Sequence, residues 1–215
     1  MSLRLIYGRA GSGKTSFCME EIRDMLIQEA KRPLILVVPE QYSMQAERDL
    51  LKIAPKAGVM EAEVLSFRRM AYRIFEEVGG YTRRHISASG RSMLIYRVMD
   101  ELKEELRLFE RAAHQSGFVG TMAQLISEFK RYNITPEIFH ELNNTIEDET
   151  LKDKLGEIGA IYQRFEEAVH KRYIDADDDL TLLAEKLPKS KEFHGAHIWI
   201  DEFSGFTPQE YRVIE

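Results

Sequence analysis

Apolar residues recur along this chain in two rhythms. Short apolar, β-branched runs at Leu3–Tyr7, Leu34–Val38 and Val64–Phe67 predict strands. Each precedes a stretch with apolar residues at helical spacing: Ser16–Ala30, Gln45–Ile53 and Met70–Val78. Leu34-Ile35-Leu36-Val37-Val38 is apolar at every position, the pattern of a strand covered on both faces. Strands alternating with helices predict an α/β fold with a parallel sheet, and Gly79-Gly80 closes this part. From Ser87 to Leu187 the rhythm becomes helical throughout. Leu94, Ile95, Val98, Met99, Leu102 and Leu106 form one stripe, and Met122, Leu125, Ile126 and Phe129 another. Leu155, Ile158, Ile161, Tyr162, Phe165 and Val169 mark a long helix, and Asp178–Leu187 one more. Thr135-Pro136-Glu137 predicts a helix start, with a threonine cap and proline at the first helical position. No strand is predicted in this block. A strand returns at Ala196–Ile200, and Thr207-Pro208 opens a last helix in which the sequence stops at Glu215. The expected organisation is an α/β domain whose first part spans 1–86, an all-helical insert over 87–190, and a return segment over 191–215. Ending within a helix predicts a piece of a longer polypeptide.

Composition narrows the classes. The 215 residues carry 30 Lys+Arg against 36 Asp+Glu, a net charge of -6, so no overall basic field awaits a polyanion. One cysteine excludes a disulfide framework or a multi-cysteine metal site within this stretch. The longest apolar run, Pro33 to Pro39, is far short of the roughly 20 residues that span a bilayer. The first residues lack the apolar core of a signal peptide. The sequence therefore reads as a soluble cytoplasmic protein without a membrane partner.

The chemistry concentrates in Gly8-Arg9-Ala10-Gly11-Ser12-Gly13-Lys14-Thr15, which matches the phosphate-loop pattern G-x-x-x-x-G-K-[ST] at every fixed position. Its glycines let successive backbone N–H groups turn toward a β-phosphate. Lys14 supplies a cation for the β- and γ-phosphates, Thr15 a hydroxyl ligand for Mg²⁺, and the helix opening near Ser16 its positive dipole end. The motif lies between a predicted strand and a predicted helix, as a P-loop NTPase requires. A second acidic element is expected at a neighbouring strand end, and Ile198-Trp199-Ile200-Asp201-Glu202 provides one. Asp201 is the candidate metal-holding carboxylate and Glu202 the candidate base for an attacking water. A carboxylate directly after the metal-binding one favours nucleotide hydrolysis over small-molecule phosphorylation. A glycine turn and a solvated acidic pair are the plain structural alternatives.

The net charge hides an asymmetry. Between Val64 and Arg97 seven arginines (Arg68, Arg69, Arg73, Arg83, Arg84, Arg91 and Arg97) face two glutamates, with Tyr72, Tyr81 and Tyr96 among them. That mix suits a nucleic-acid backbone with base stacking, or simply solvated helix surfaces. From Glu141 to Glu185, 13 acidic residues stand against 5 basic ones. Asp175, Asp177, Asp178 and Asp179 lack the glycine and distal glutamate of a calcium loop and read as an acidic helix start. The histidines show no metal-ligand spacing.

A P-loop, a helical insert and then Asp-Glu resemble the RecA-like first motor domain of superfamily 1 DNA helicases. Val64-Leu65-Ser66-Phe67-Arg68-Arg69 resembles the helicase segment beside single-stranded DNA, which makes Ser66, Phe67, Arg68 and Arg69 candidate DNA contacts. Tyr173–Leu180 is similar to the acidic segment before the second ATP motif. A closer resemblance, along essentially the whole chain, is to the AddB (RexB) family of helicase–nuclease subunits. Val38-Pro39-Glu40-Gln41, Ser127–Tyr132, Leu180–Glu185, Gly195–Ile198 and Phe206–Glu210 carry it. The resemblance implies an ATP- and Mg²⁺-binding, helicase-like N-terminal part of a subunit that works with an AddA-type partner. It implies action on double-stranded DNA ends and single strands during break repair by recombination, with DNA holding or Chi recognition. It also implies a nuclease domain with an iron–sulfur cluster, found in that family beyond the stretch matched here. The chain departs from the helicases at Ser204-Gly205, where they carry Gln-Asp. Two alternatives remain: a nucleotide-binding scaffold that does not hydrolyse, and a small-molecule P-loop kinase.

Overall fold

The computed structural model describes residues 3–28, 32–54, 61–80, 83–113, 115–142 and 145–215. It divides into two units, Met1–Gly80 with Leu182–Phe206, and Tyr81–Thr181 with Thr207–Glu215.

The first unit is built on a parallel sheet of β1 (Leu34–Val37), β2 (Ala62–Leu65) and β5 (His197–Ile200), in the order β2-β1-β5. Helices α1 (Lys14–Ile27) and α2 (Ser43–Ile53) cover one face. Cys18, Met19, Ile22 and Leu26 of α1 and Ala46 and Leu50 of α2 pack on Leu34, Leu36, Val38, Ala62, Val64 and Trp199. The alternate residues Ile35, Val37 and Leu65 point to the other face and are also buried, and α3 (Phe67–Val78) contacts β2. The uniform apolarity of β1 thus matches burial on both faces. Helix α3 starts three residues earlier than periodicity predicts, because Ser66 caps it: the Arg69 N–H donates to Ser66 Oγ at 3.2 Å.

Leu3–Tyr7 departs from its predicted strand. Leu3, Leu5 and Tyr7 are 83%, 78% and 94% exposed, and the segment lies outside the sheet. An apolar run becomes a strand only when a neighbour accepts its backbone hydrogen bonds, and β5 pairs with β1 alone among the described residues. Arg4 anchors the segment sideways instead, through an ion pair with Glu21 and by lying over the Phe17 ring at 5.4 Å. Arg4, and then the Trp199 indole N–H at 3.0 Å, hold the Glu21 carboxyl below the ordinary carboxylate range. The C-terminal end of the predicted helix Ser16–Ala30 lies outside the described residues.

The second unit is mainly helical. It contains α4 (Ala88–Glu101), α5 (Ser116–Arg131), α6 (Pro136–Leu142) and α7 (Glu149–His170). Ile95, Val98, Met99, Met122, Ile126, Ile161 and Phe165 form a core in which every one is nearly inaccessible, at the spacings expected from sequence. Two short strands pair in parallel: β3 (Arg84–His85), just ahead of the block expected to be wholly helical, and β4 (Tyr173–Ile174), inside it. Two residues each are too few to leave a period in the sequence. Helix α8 (Asp179–Lys186) follows β4, and α9 (Pro208–Ile214) opens on a capping box between Thr207 and Glu210. No described helix is long and apolar enough to cross a membrane.

One buried ionic group organises this unit. The Lys130 side chain, 3% exposed, places its ammonium 2.7 Å from Asp178, 2.8 Å from Glu166 and 3.1 Å from Asp175. Burial opposes its charge, yet the three carboxylates outweigh burial and raise its pKa above the ordinary lysine value. Burial pushes the carboxyls of Glu166 and Asp178 up. Asp177 is held down despite its burial by Ser127 and Arg91. Arg91 also reaches Asp175, so α4, α5 and α7 are tied to the acidic turn before α8. Glu166, His170 and Asp178 bring potential ligand atoms within 4.8 Å of one another. The cation among these carboxylates is Lys130.

Lys130→Ala is expected to lower unfolding stability by about 3–5 kcal/mol, because the carboxylates are left buried without their cation. The loss should shrink in mild acid, where Glu166 and Asp178, already raised, take up protons. Denaturant titration at the two pH values checks both statements; a loss that grows in acid contradicts them.

Candidate functional site

The phosphate loop leads straight into α1, and its shape follows from its glycines. Gly11 and Gly13 sit at φ 75° and 87°, a region that L side chains avoid, and Gly13 caps α1. Gly8, Arg9, Ala10, Gly11, Ser12 and Gly13 are exposed, and Ser16 lies in the first turn of α1. The Lys14 ammonium bends back into this loop and donates to the carbonyls of Gly8 and Arg9, both at 3.0 Å. It is therefore held at the loop by two neutral acceptors that a charged phosphate oxygen outcompetes.

Parallel register brings the second half of the motif to the same place. β1 ends at Val37 level with Leu65 of β2 and Ile200 of β5, so the chain leaves all three strands at one edge. The Asp201 N–H donates to the Val37 carbonyl at 3.0 Å, continuing β5 one step. Glu202 then turns sharply: its φ is 65°, and its N–H donates to Asp201 Oδ1 at 2.8 Å. Across 187 residues of sequence, the Thr15 hydroxyl donates to Glu202 Oε1 at 3.1 Å. The two sequence motifs thus meet directly. Thr15, one of the two expected metal ligands, donates here to Glu202, the expected base.

The donor set fits magnesium nucleotide. Thr15 and Asp201 offer hard oxygens, the choice of Mg²⁺, beside a lysine and a run of exposed loop backbone. Cys18, on the next turn of α1, is the nearby thiol: it is buried, and burial followed by the neighbouring Asp201 carboxylate pushes its pKa up.

Ser66 and Phe67 are 3% and 6% exposed, which gives them internal roles. Ser66 Oγ donates to Glu40 and caps α3, and the Phe67 ring lies 5.4 Å from that of Phe203, itself 4.9 Å from Phe206. A hydroxyl followed by an aromatic reads the same in sequence whether it caps a helix and fills a core or meets a base. Sequence reasoning misses Phe203 and Glu40. Their only signal is position, just after strands whose ends lie level.

Arg68 and Arg69 are exposed on α3. Arg68 lies over the Tyr72 ring at 5.8 Å and Arg69 pairs with Glu47. Much of the arginine-rich stretch is neutralised locally. Arg73 pairs with Glu63 and Glu192, Arg97 with Glu101, and Arg91 is consumed by the buried network. Arg83 donates to the His170 carbonyl, while Arg84 is exposed on β3. Tyr81 lies outside the described residues.

Comparison with known proteins bears on this geometry. The sequence model of a family described as ADDB, N-terminal, matches residues 5–215. A protein of Clostridium botulinum strain Hall, named as the B-type subunit of an ATP-dependent helicase/deoxyribonuclease, is 52% identical over all 215 residues. The Acetivibrio thermocellus protein of that name is also 52% identical, and that of Thermoanaerobacter pseudethanolicus 49%, each over the whole chain. The chain spans 19% of the length of each of these relatives.

Because Glu202 holds a left-handed backbone conformation that costs an L-residue about 1–2 kcal/mol, Glu202→Gly should leave stability unchanged or raise it by up to about 1 kcal/mol despite the lost Thr15 bond. Thermal unfolding beside the parent chain checks this, and a clear loss of stability contradicts it.

Proposed function

The chain belongs to the AddB N-terminal family, and on that premise we propose that it is the magnesium-nucleotide-binding, RecA-like part of a helicase–nuclease subunit. The observation that carries this reading is the Thr15–Glu202 hydrogen bond, which joins the phosphate loop to the acidic strand end. Lys14 holds the β- and γ-phosphates, the loop N–H groups around Gly11 and Gly13 cradle them, and Arg9, Ala10, Ser12 and Ser16 complete the contact. Thr15 and Asp201 hold Mg²⁺, which when bound neutralises phosphate charge. Glu202 accepts a proton from the attacking water if hydrolysis occurs, which first requires its release from Thr15. The mainly helical unit is read as an insert into this fold, and the ion-pair network around Lys130 as what keeps it rigid.

The relatives' names supply the setting: an ATP-dependent, multi-subunit helicase–deoxyribonuclease acting on DNA. By that analogy the chain works with an AddA-type subunit on DNA ends in recombinational repair in the cytoplasm, where exposed Arg68 and Arg69 help hold DNA. Any iron–sulfur nuclease domain belongs to other parts of such proteins.

A second reading, nucleotide binding without turnover, is favoured by one observation: the Glu202 carboxylate is engaged by Thr15 and so is not free to orient water. Two measurements separate the readings. Lys14→Ala should weaken Mg–ATP binding at least tenfold by calorimetry, about 1.4 kcal/mol or more, with the fold intact by circular dichroism. Unchanged affinity contradicts the site. Glu202→Gln should slow hydrolysis by about 10²-fold or more in the intact protein if Glu202 is the base, and leave it unaltered if the chain is a scaffold.

A further inference from the structure

We infer that Phe203 relays the state of the phosphate site to the N-terminus of α3 through its contact with Phe67. The inference rests on the nucleotide-binding reading and specifies how that site is coupled to the rest of the unit.

Two tethers fix the start of α3. One is polar: Ser66 Oγ donates to Glu40, which follows β1, and accepts from the Arg69 N–H. The other is aromatic: the rings of Phe67 and Phe203 meet at 5.4 Å and 57°, reaching from the end of β2 across the end of β1 to the end of β5. Glu40 has no described bond to the phosphate loop. Phe203 follows directly after Glu202, whose side chain accepts the Thr15 hydroxyl. The aromatic tether therefore leads from α3 to the residue that directly follows Glu202, which accepts the Thr15 hydroxyl.

Glu202 is suited to act as the moving part. It holds φ 65°, a conformation an L-residue keeps only while other contacts impose it. Those contacts are its N–H bond to Asp201 and its carboxylate bond from Thr15. Thr15 and Asp201 are the two groups assigned to the metal, so a metal-nucleotide complex acts on both restraints together. Relaxation of Glu202 rotates the chain at its Cα and carries the Phe203 ring with it. Phe67 is almost fully buried and is the first residue of α3, so a displaced ring partner must shift the helix start or leave a gap. The same helix exposes Arg68 and Arg69, which makes the relay a route from nucleotide to a charged surface.

The test is hydrogen exchange of the intact protein with and without Mg²⁺ and a non-hydrolysable ATP analogue, paired with calorimetry. The Arg69 and Met70 amides, bonded to Ser66 Oγ and to the Ser66 carbonyl, report the helix start. In the parent protein the analogue should change their exchange by about fivefold or more. In Phe203→Ala that response should vanish while analogue affinity stays within about threefold, since the ring does not touch phosphate. Phe203→Tyr, which keeps the ring, should restore it, and Phe67→Leu should abolish it from the α3 side. A response that persists in Phe203→Ala, or a parent protein that binds the analogue with no change at α3, overturns the relay. Failure of the parent protein to bind the analogue overturns the nucleotide reading as well, and calorimetry tells that outcome from the others.

Discussion

The parallel register of three strands is the constraint on which the first unit depends. Leu36 and Val37 of β1 stand level with Val64 and Leu65 of β2 and with Trp199 and Ile200 of β5. Parallel strands in register deliver their C-terminal ends to one edge, where open α/β sheets bind ligands. Here that edge gathers Glu40, Ser66, Phe67, Asp201, Glu202 and Phe203, residues that sequence separates by up to about 160 positions. The core that enforces the register is ordinary: α1 and α2 on one face, bound through Ile22, Leu26 and Leu50. Because α1 is seated by that core, Thr15 in its first turn arrives within hydrogen-bonding distance of Glu202.

The second unit reaches order by another route. Its helices share an apolar core, but their alignment at the acidic turn before α8 comes from Lys130 and Arg91. Such a buried network is expensive to desolvate and costly to break, so it contributes more to defining one arrangement than to net stability. Three closely spaced acids of that turn, Asp175, Asp177 and Asp178, thus act as a structural counter-charge, with Asp175 also accepting from the Asp177 N–H.

The legible parts of the sequence are those where local chemistry dictates residue type. The loop before α1 turns at φ 75° and 87°, where glycine is favoured, so Gly11 and Gly13 announce it, and Gly8, Gly13, Lys14 and Thr15 complete the motif. The buried strand β1 and the helical stripes through Ile95, Met122 and Phe165 are readable from periodicity alone. What stays hidden depends on distant partners. Leu3–Tyr7 has strand composition but no strand partner among the described residues, and Lys130 reads as a surface lysine until acids 36 to 48 residues later enclose it. Nothing in Asp201-Glu202 tells which carboxylate meets Thr15, since that depends on a left-handed glutamate for which residue type gives no warning. Ser66-Phe67 looks like a DNA-facing pair because capping and core filling use the same two residue types.

The candidate phosphate loop is held closed on itself, with Lys14 on loop carbonyls and Thr15 on Glu202. A crystal structure of the intact protein with Mg²⁺ and a non-hydrolysable ATP analogue tests that most directly. The expected result is Lys14 Nζ on phosphate oxygens, Thr15 Oγ1 in the metal's coordination shell, and Glu202 parted from Thr15. Nucleotide bound elsewhere, or bound here with Lys14 still on the Gly8 and Arg9 carbonyls, contradicts it.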